Sequence, residues 1–273
     1  MPTFVDRDQT VGLLKRTWAA VDDLCAELSE AEFLSPTCLP GWTVKDQLSH
    51  MLGTEEMLAG RPMPKADISH LTHLRNDIAR ANELWVEARR AQSGAEVLNE
   101  FRAITQERSV ALDSMSQADF DAPSWTPAGA DETYGRFMRI RAYDCFMHEH
   151  DIRAALGRPD RDETDPLNSA LDEVATGLGF IVGKKANMPQ GSRILFNLTG
   201  AVSRSFRVEV ASRAAVVESL SAPPTVTVDI PAMAFLRRTG GRELAAHDNL
   251  AEVHLDGDLT LGEQLLSNLA FTI

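Results

Sequence analysis

The residues of this chain best suited to catalysis are Asp144 and His148, which lie four positions apart in a segment with helical periodicity. Side chains at positions i and i+4 project from the same face of a helix. A carboxylate and an imidazole held in this way offer two ligands to a divalent metal, and His50, far upstream, is a candidate third ligand. Three protein ligands leave a coordination position for water or substrate, as in catalytic metal sites. The spacing therefore favours a metalloenzyme.

The same residues also have interpretations without a metal. Asp144 and His148 could form a polar pair on a solvated helix face, and His50 could be a surface histidine away from the apolar stripe of its helix. However, residues 140–152 are rich in apolar side chains, and a carboxylate buried there needs a metal or a charged neighbour. Asp151, three residues after His148, is either an acceptor that orients an imidazole or a polar residue near a helix end.

Composition and charge restrict the class of protein. The net charge of −13 over 273 residues argues against nucleic acid and against an anionic membrane surface, because both require concentrated Lys and Arg. The sequence has no apolar run near the ~20 residues of a membrane span and no signal-peptide pattern at its start. Its three cysteines have no CxxC spacing, so we interpret each as a small core residue in a reducing compartment. We expect a cytoplasmic monomer or homodimer.

The elements that must position the candidate residues fall into two groups. Helical periodicity predicts helices at 11–28, 43–59, 71–88, 97–115 and 134–156, with a further one starting at 165 and a loop at 123–129. Beyond residue 189 the pattern predicts strands at 193–199, 206–210, 225–230 and 251–255, with helices at 232–238 and 261–270. We therefore predict a helical domain over residues 1–188 and an α+β domain over residues 189–273.

Two sequence blocks resemble those of a known family. Residues 39–50, LPGWTVKDQLSH, are similar to the PGW-T-V-x-D-x-x-x-H signature of the DinB-like, mycothiol-dependent maleylpyruvate isomerase family. Residues 141–151, RAYDCFMHEHD, resemble its second block, and the C-terminal segment is similar to its second domain. The resemblance covers essentially the whole chain. It implies an α+β two-domain fold, in which a DinB-like four-helix bundle of up-down-down-up type precedes a small sterol-carrier-like domain.

This resemblance implies a metal site and a thiol cofactor. By position, His50, Asp144 and His148 would bind one divalent metal, zinc or alternatively nickel, although the family usually has Glu where Asp144 stands. Mycothiol, or another low-molecular-weight thiol, would become a thiolate on the metal. Its addition to the activated double bond of maleylpyruvate, followed by rotation and loss of the thiol, would give the trans isomer. A reaction that stops after addition would instead make the protein an S-transferase, and the sequence leaves both open.

A dicarboxylate substrate also requires a cationic partner. Arg141 lies on the site helix and Arg242 follows a Gly-Gly pair in the second domain, so we predict these two and Asp151 as catalytic residues. Two non-catalytic alternatives remain: a small-molecule or lipid-binding protein with a structural or vestigial metal site, and a stress-responsive regulatory protein that has lost turnover. Thiol-dependent consumption of an electrophile would distinguish the enzyme from both.

Overall fold

The computed structural model describes residues 2–72, 74–242, 245, 248 and 250–272. The chain forms two compact units, of which the first ends at Asp160 and the second begins at Arg161. The first is mainly helical and the second combines a sheet with helices, so the predicted two-domain α+β fold is confirmed. Within the described ranges, no helix is long and apolar enough to cross a membrane.

The first unit is built around a helical bundle. Its elements are α1 (Arg7–Cys25), α2 (Glu30–Phe33), α3 (Val44–Leu58), α4 (Asp77–Glu87), α5 (Gly94–Ser114), α6 (Gln117–Asp121), β1 (Pro123–Thr126), β2 (Gly129–Thr133) and α7 (Tyr134–Ala155). Among the described residues, the four longest of these helices form the bundle, with α1 against α5 and α7, and α3 against the same two helices. Its core contains the fully buried side chains of Leu14, Leu48, Phe101 and Met138.

Both helices that carry the candidate ligands begin at a defined N-cap. Thr43 caps α3: its side chain accepts from Asp46 N, and Asp46 Oδ2 accepts from Thr43 N at 2.8 Å. This reciprocal capping box satisfies two backbone donors of the first turn, as predicted from the sequence. Thr133 caps α7 and accepts from Arg136 N at 3.0 Å. The two caps therefore fix where α3 and α7 begin.

Two local predictions in this unit differ from the structure. The helix predicted at 71–88 begins only at Asp77, because the Asn76 side chain accepts from Ala79 N and caps it there. The predicted loop at 123–129 begins a two-stranded antiparallel hairpin, β1 with β2. Its strands are short and mostly exposed, so they lack the apolar alternation that marks a strand in sequence.

The second unit is a mixed five-stranded sheet with helices. Its elements are α8 (Thr164–Phe180), a π-helical turn (Ile181–Lys185), β3 (Arg193–Thr199), β4 (Arg204–Val210), β5 (Ala214–Val216), β6 (Val226–Pro231), α9 (Ala232–Thr239), a 3₁₀ turn (Leu250–Glu252), β7 (His254–Gly257) and α10 (Leu259–Leu266). The strand order is β5-β4-β3-β6-β7, with β3 and β6 parallel and the other neighbours antiparallel. Alternate residues of β3, Ile194, Phe196 and Leu198, are buried.

Most of the predicted strands and helices of this unit are confirmed, with three differences. The strand predicted at 251–255 is a 3₁₀ turn followed by β7, the last helix is Leu259–Leu266, and the short β5 was not predicted. The two compact units also divide earlier than the boundary predicted at 188/189, since α8 packs against β4, β5 and α9. Helical periodicity shows that α8 has an apolar face but does not show which core buries it.

Candidate metal centre

The three predicted metal ligands lie together between α3 and α7. One ligand-type atom from each of His50, Asp144 and His148 falls within 4.8 Å of the other two. His50 Nε2 lies 3.1 Å from Asp144 Oδ2, and His148 Nε2 lies 3.4 Å from Asp144 Oδ1. The fold thus places His50 beside a carboxylate that is 94 positions away in the chain.

Burial and charge give the three side chains different properties. The side chains of His50 and His148 are 6% and 5% exposed, whereas that of Asp144 is 30% exposed. Burial lowers the pKa of His50 despite the opposing effect of Asp144. Burial also acts to lower the pKa of His148, but Asp144 and Asp151 outweigh it and the net pKa is raised. Burial acts to raise the pKa of Asp144, yet the two imidazoles and Arg141 hold it well below its usual range, so the carboxylate is ionised.

This donor set fits a divalent transition metal. Two imidazole nitrogens and one carboxylate oxygen are ligand types that zinc takes in catalytic sites. Both imidazoles direct Nε2 at the same carboxylate, whose side chain retains the largest exposed fraction of the three. Three protein ligands leave further coordination positions to a small molecule.

Trp42 lies against both candidate histidines. Its ring centroid is 5.2 Å from that of His50 and 6.1 Å from that of His148. The indole Nε1 donates to Glu83 Oε2 at 2.8 Å, and Glu83 Oε1 accepts from Arg90 at 2.9 Å. Trp42 was not predicted from the sequence to be a site residue. In the structure its indole packs against both imidazoles. The sequence signal for this contact is that Trp42 directly precedes Thr43, the N-cap of the helix that carries His50.

Arg141 is held inside the bundle by contacts with the protein. It is 2% exposed, its Nε donates to Glu55 Oε1 at 2.9 Å, and its Nη1 pairs with Asp144 Oδ2. Glu55 also accepts from Arg108 Nε at 3.1 Å. The predicted substrate-binding arginine is therefore engaged with Glu55 and with the site carboxylate. Glu55 and Arg108 were not predicted to lie near the site, because their partners lie on other helices.

Asp151 approaches His148 from the side opposite Asp144. Its Oδ2 lies 3.3 Å from His148 Nδ1, and its Oδ1 accepts from the thiol of Cys38 at 3.3 Å. Asp151 is 4% exposed, so it is part of the protein interior rather than a solvated residue near the helix end. This placement is consistent with the orienting role considered from the sequence, which stays a prediction.

The other predicted catalytic residue, Arg242, belongs to the second unit, where its Nη1 donates to Gly240 O at 2.7 Å. His150, on α7 beside the candidate ligands, is 1% exposed, and its Nδ1 lies 2.8 Å from Phe146 O. Its contacts are thus those of a core histidine, and it lies outside the cluster of three candidate ligands.

Comparison with known families decides the relationship of this chain. The sequence model of the mycothiol maleylpyruvate isomerase N-terminal domain matches residues 14–153. That of the MDMPI C-terminal domain matches residues 168–264. The chain belongs to the mycothiol maleylpyruvate isomerase family. The resemblance found in the sequence is confirmed, and with it the prediction that the protein is a member of an enzyme family.

Solved structures show the fold of this family across the chain. A crystal structure of the mycothiol-dependent maleylpyruvate isomerase matches with a TM-score of 0.60 and 16% identity, over 92% of this chain and 98% of that one. A histidine-to-alanine mutant of such an enzyme matches with a TM-score of 0.58 and 16% identity, over 94% and 96%. Identities this low establish a shared fold alone. A comparison with curated protein sequences gives no significant match.

A weaker match is the colibactin self-resistance protein in complex with double-stranded DNA. Its TM-score is 0.41 and its identity 10%, over 55% of this chain and 94% of that one. A similarity at this level carries no argument about the partners of this chain. The expectation that the protein does not bind nucleic acid stays a prediction.

Proposed function

We propose that this protein is a metal-dependent isomerase or S-transferase that uses mycothiol, or another low-molecular-weight thiol, on a small electrophile of the maleylpyruvate type. The observation that carries the proposal is the convergence of His50, Asp144 and His148 within 4.8 Å in a chain of this family. The two histidines and the aspartate support a divalent metal ion. The family to which the chain belongs supports mycothiol as the thiol.

His50, Asp144 and His148 would hold the metal, zinc or alternatively nickel. A bound divalent cation supplies a Lewis acid that lowers the pKa of a thiol and makes the thiolate available near neutral pH. Asp144 supports this role because its low pKa keeps a negative charge at the site. Asp151 contributes by facing His148 Nδ1, which orients the imidazole and directs Nε2 toward Asp144.

The surrounding residues shape the site and limit access of water to it. Trp42 covers the two imidazoles, and its hydrogen bond to Glu83 holds the indole in place. Arg141 acts in this proposal by holding Asp144 rather than by binding the substrate, since Glu55 and Asp144 already occupy its guanidinium. Arg242 remains a predicted contact for a substrate carboxylate.

A buried thiol of the protein is poorly suited to replace the small thiol. Cys145 directly follows Asp144, yet burial raises its pKa to about 12. A thiol reacts as the thiolate, so Cys145 is essentially unreactive at neutral pH. Cys145 is therefore not a candidate for the nucleophile.

The first experiment is metal analysis of the native protein by mass spectrometry, beside the His50→Ala and His148→Ala variants. We expect about one zinc or similar ion per chain, and its loss in both variants. Zinc-loaded protein should then consume maleylpyruvate only when mycothiol is added. NMR of the product separates the two activities, because an isomerase releases the trans isomer and an S-transferase releases a thioether. Native protein without metal, to which added zinc does not bind, would overturn the proposal.

A further inference from the structure

Buried ion pairs connect α5, through α3, to the candidate metal centre on α7. Arg108 Nε on α5 lies 3.1 Å from Glu55 Oε2 on α3. The other carboxylate oxygen, Glu55 Oε1, lies 2.9 Å from Arg141 Nε, and Arg141 Nη1 pairs with Asp144 Oδ2. The Glu55 side chain is 0% exposed and those of Arg108 and Arg141 are 5% and 3% exposed. Two positive and two negative charges thus compensate one another inside the bundle.

We propose that Glu55 is a positioning residue for the metal centre: it fixes the guanidinium of Arg141, which in turn fixes the carboxylate of Asp144. This inference rests on the proposed metal site. The carboxylate torsion of an aspartate is soft, so its own side chain does not set the direction of the two oxygens. The planar guanidinium presents its donors in a rigid fork, and a second carboxylate from another helix determines how that fork is turned.

Charge gives Glu55 a second effect on the same site. Arg141 places a positive charge against Asp144, the one anionic side chain among the three candidate ligands. An uncompensated cation at that position would repel a metal ion. The carboxylate of Glu55 offsets the positive charge of Arg141 by pairing with its Nε, whereas Asp144 pairs with its Nη1. Arg141 can therefore orient Asp144 while repelling the metal ion less strongly.

The neighbouring residue Glu56 provides a matched control. Its Oε2 lies 2.6 Å from Arg89 Nη2, and Arg89, like Arg141, is almost completely buried. Arg89 lies just after α4, and its Nε pairs with Glu100 on α5. Glu55 and Glu56 are therefore adjacent glutamates that each bind a buried arginine, but only Glu55 shares its arginine with Asp144.

The test compares Glu55→Gln with Glu56→Gln in the full chain, using zinc titrations in competition with a chelator. We expect Glu55→Gln to weaken zinc binding by about 10–100-fold, the usual effect of a residue that supports a metal ligand. Glu56→Gln should stay within about threefold of the wild type, as expected for an independent site. Visible absorption of the cobalt-saturated protein gives a second readout, and it should change in Glu55→Gln and not in Glu56→Gln.

A double variant separates positioning from charge balance. Glu55→Gln alone leaves two buried arginines with too little negative charge, and the protein could fail to fold. Glu55→Gln with Arg108→Gln removes one charge of each sign, and this pair should fold and still bind zinc about 10–100-fold more weakly. Wild-type zinc affinity in the double variant would overturn the positioning role. If the wild-type protein binds no zinc, the proposed function and this inference are both overturned. If the wild type binds zinc and Glu55→Gln binds it with the same affinity, this inference alone is overturned.

Discussion

Two of the three cysteines are predicted to resist thiol reagents in the native protein. Cys25 and Cys145 are 0% exposed, whereas Cys38 is exposed. Burial raises the pKa of both buried thiols to about 12. The nearby carboxylates of Asp144 and Glu55 raise the pKa of Cys145 further, and Arg141 opposes them.

The size of the effect follows from the fraction of thiolate. At pH 8 a thiol with a pKa of about 12 is roughly 0.01% ionised, whereas an unperturbed thiol with a pKa of about 8.5 is roughly 25% ionised. Because the thiolate is the nucleophile, this difference in thiolate fraction alone should slow the reaction of Cys25 and Cys145 about 2,500-fold relative to an ordinary cysteine. Exclusion of the reagent from the core slows them further.

The assay is the reaction of native protein with an aromatic disulfide reagent at pH 8, followed by absorbance. We expect about one fast thiol per chain, and about three after unfolding in guanidinium chloride. Cys38→Ser is the control: it should remove the fast phase, and its hydroxyl can still donate to Asp151. Two fast thiols in the native protein, or a fast phase that survives in Cys38→Ser, would refute the reasoning from burial. Thiol-dependent activity should persist in this variant, because the proposed nucleophile is external.

Three further predictions concern the metal, a residue beside it and the packing of α3. Free zinc at about 100 times its Kd should raise the free energy of unfolding by about 2.7 kcal/mol, measured in urea, and a chelator should reverse this. Asp151→Asn should lower zinc affinity by about 10-fold, because the imidazole of His148 loses a charged partner; an unchanged Kd in a chelator competition would contradict this. Gly53→Ala places a Cβ 2.5 Å from Trp85 Cβ. This overpacking should cost about 1–3 kcal/mol and outweigh the ~1 kcal/mol gain in helix propensity, so a variant more stable than wild type in urea would be the contrary result.

The helices of the site were predictable because their signals are local. Thr43 and Asp46 form the capping box that their spacing predicts, and the apolar period of 134–156 gives α7 nearly to its last residue. The hairpin β1–β2 was not predictable from periodicity, since its few, mostly exposed residues carry no apolar pattern. The strand β5 has only three residues, which is too short a run to show a period. Cys38 shows the same limit: cysteines are usually buried, but this one lies exposed in the segment before α3.

The sequence by itself determined that Asp144 and His148 share one face of a helix, because the direction of a helical side chain depends only on its position along the axis. A family motif also predicted that His50 shares a metal with these two residues, but the motif gave no direct contact between them. Only the tertiary structure decided that α3 lies beside α7, and so that His50 meets Asp144 and Glu55 meets Arg141. Such contacts join residues far apart in the chain, and they form because burial of the helix faces selects one packing, which no local pattern encodes.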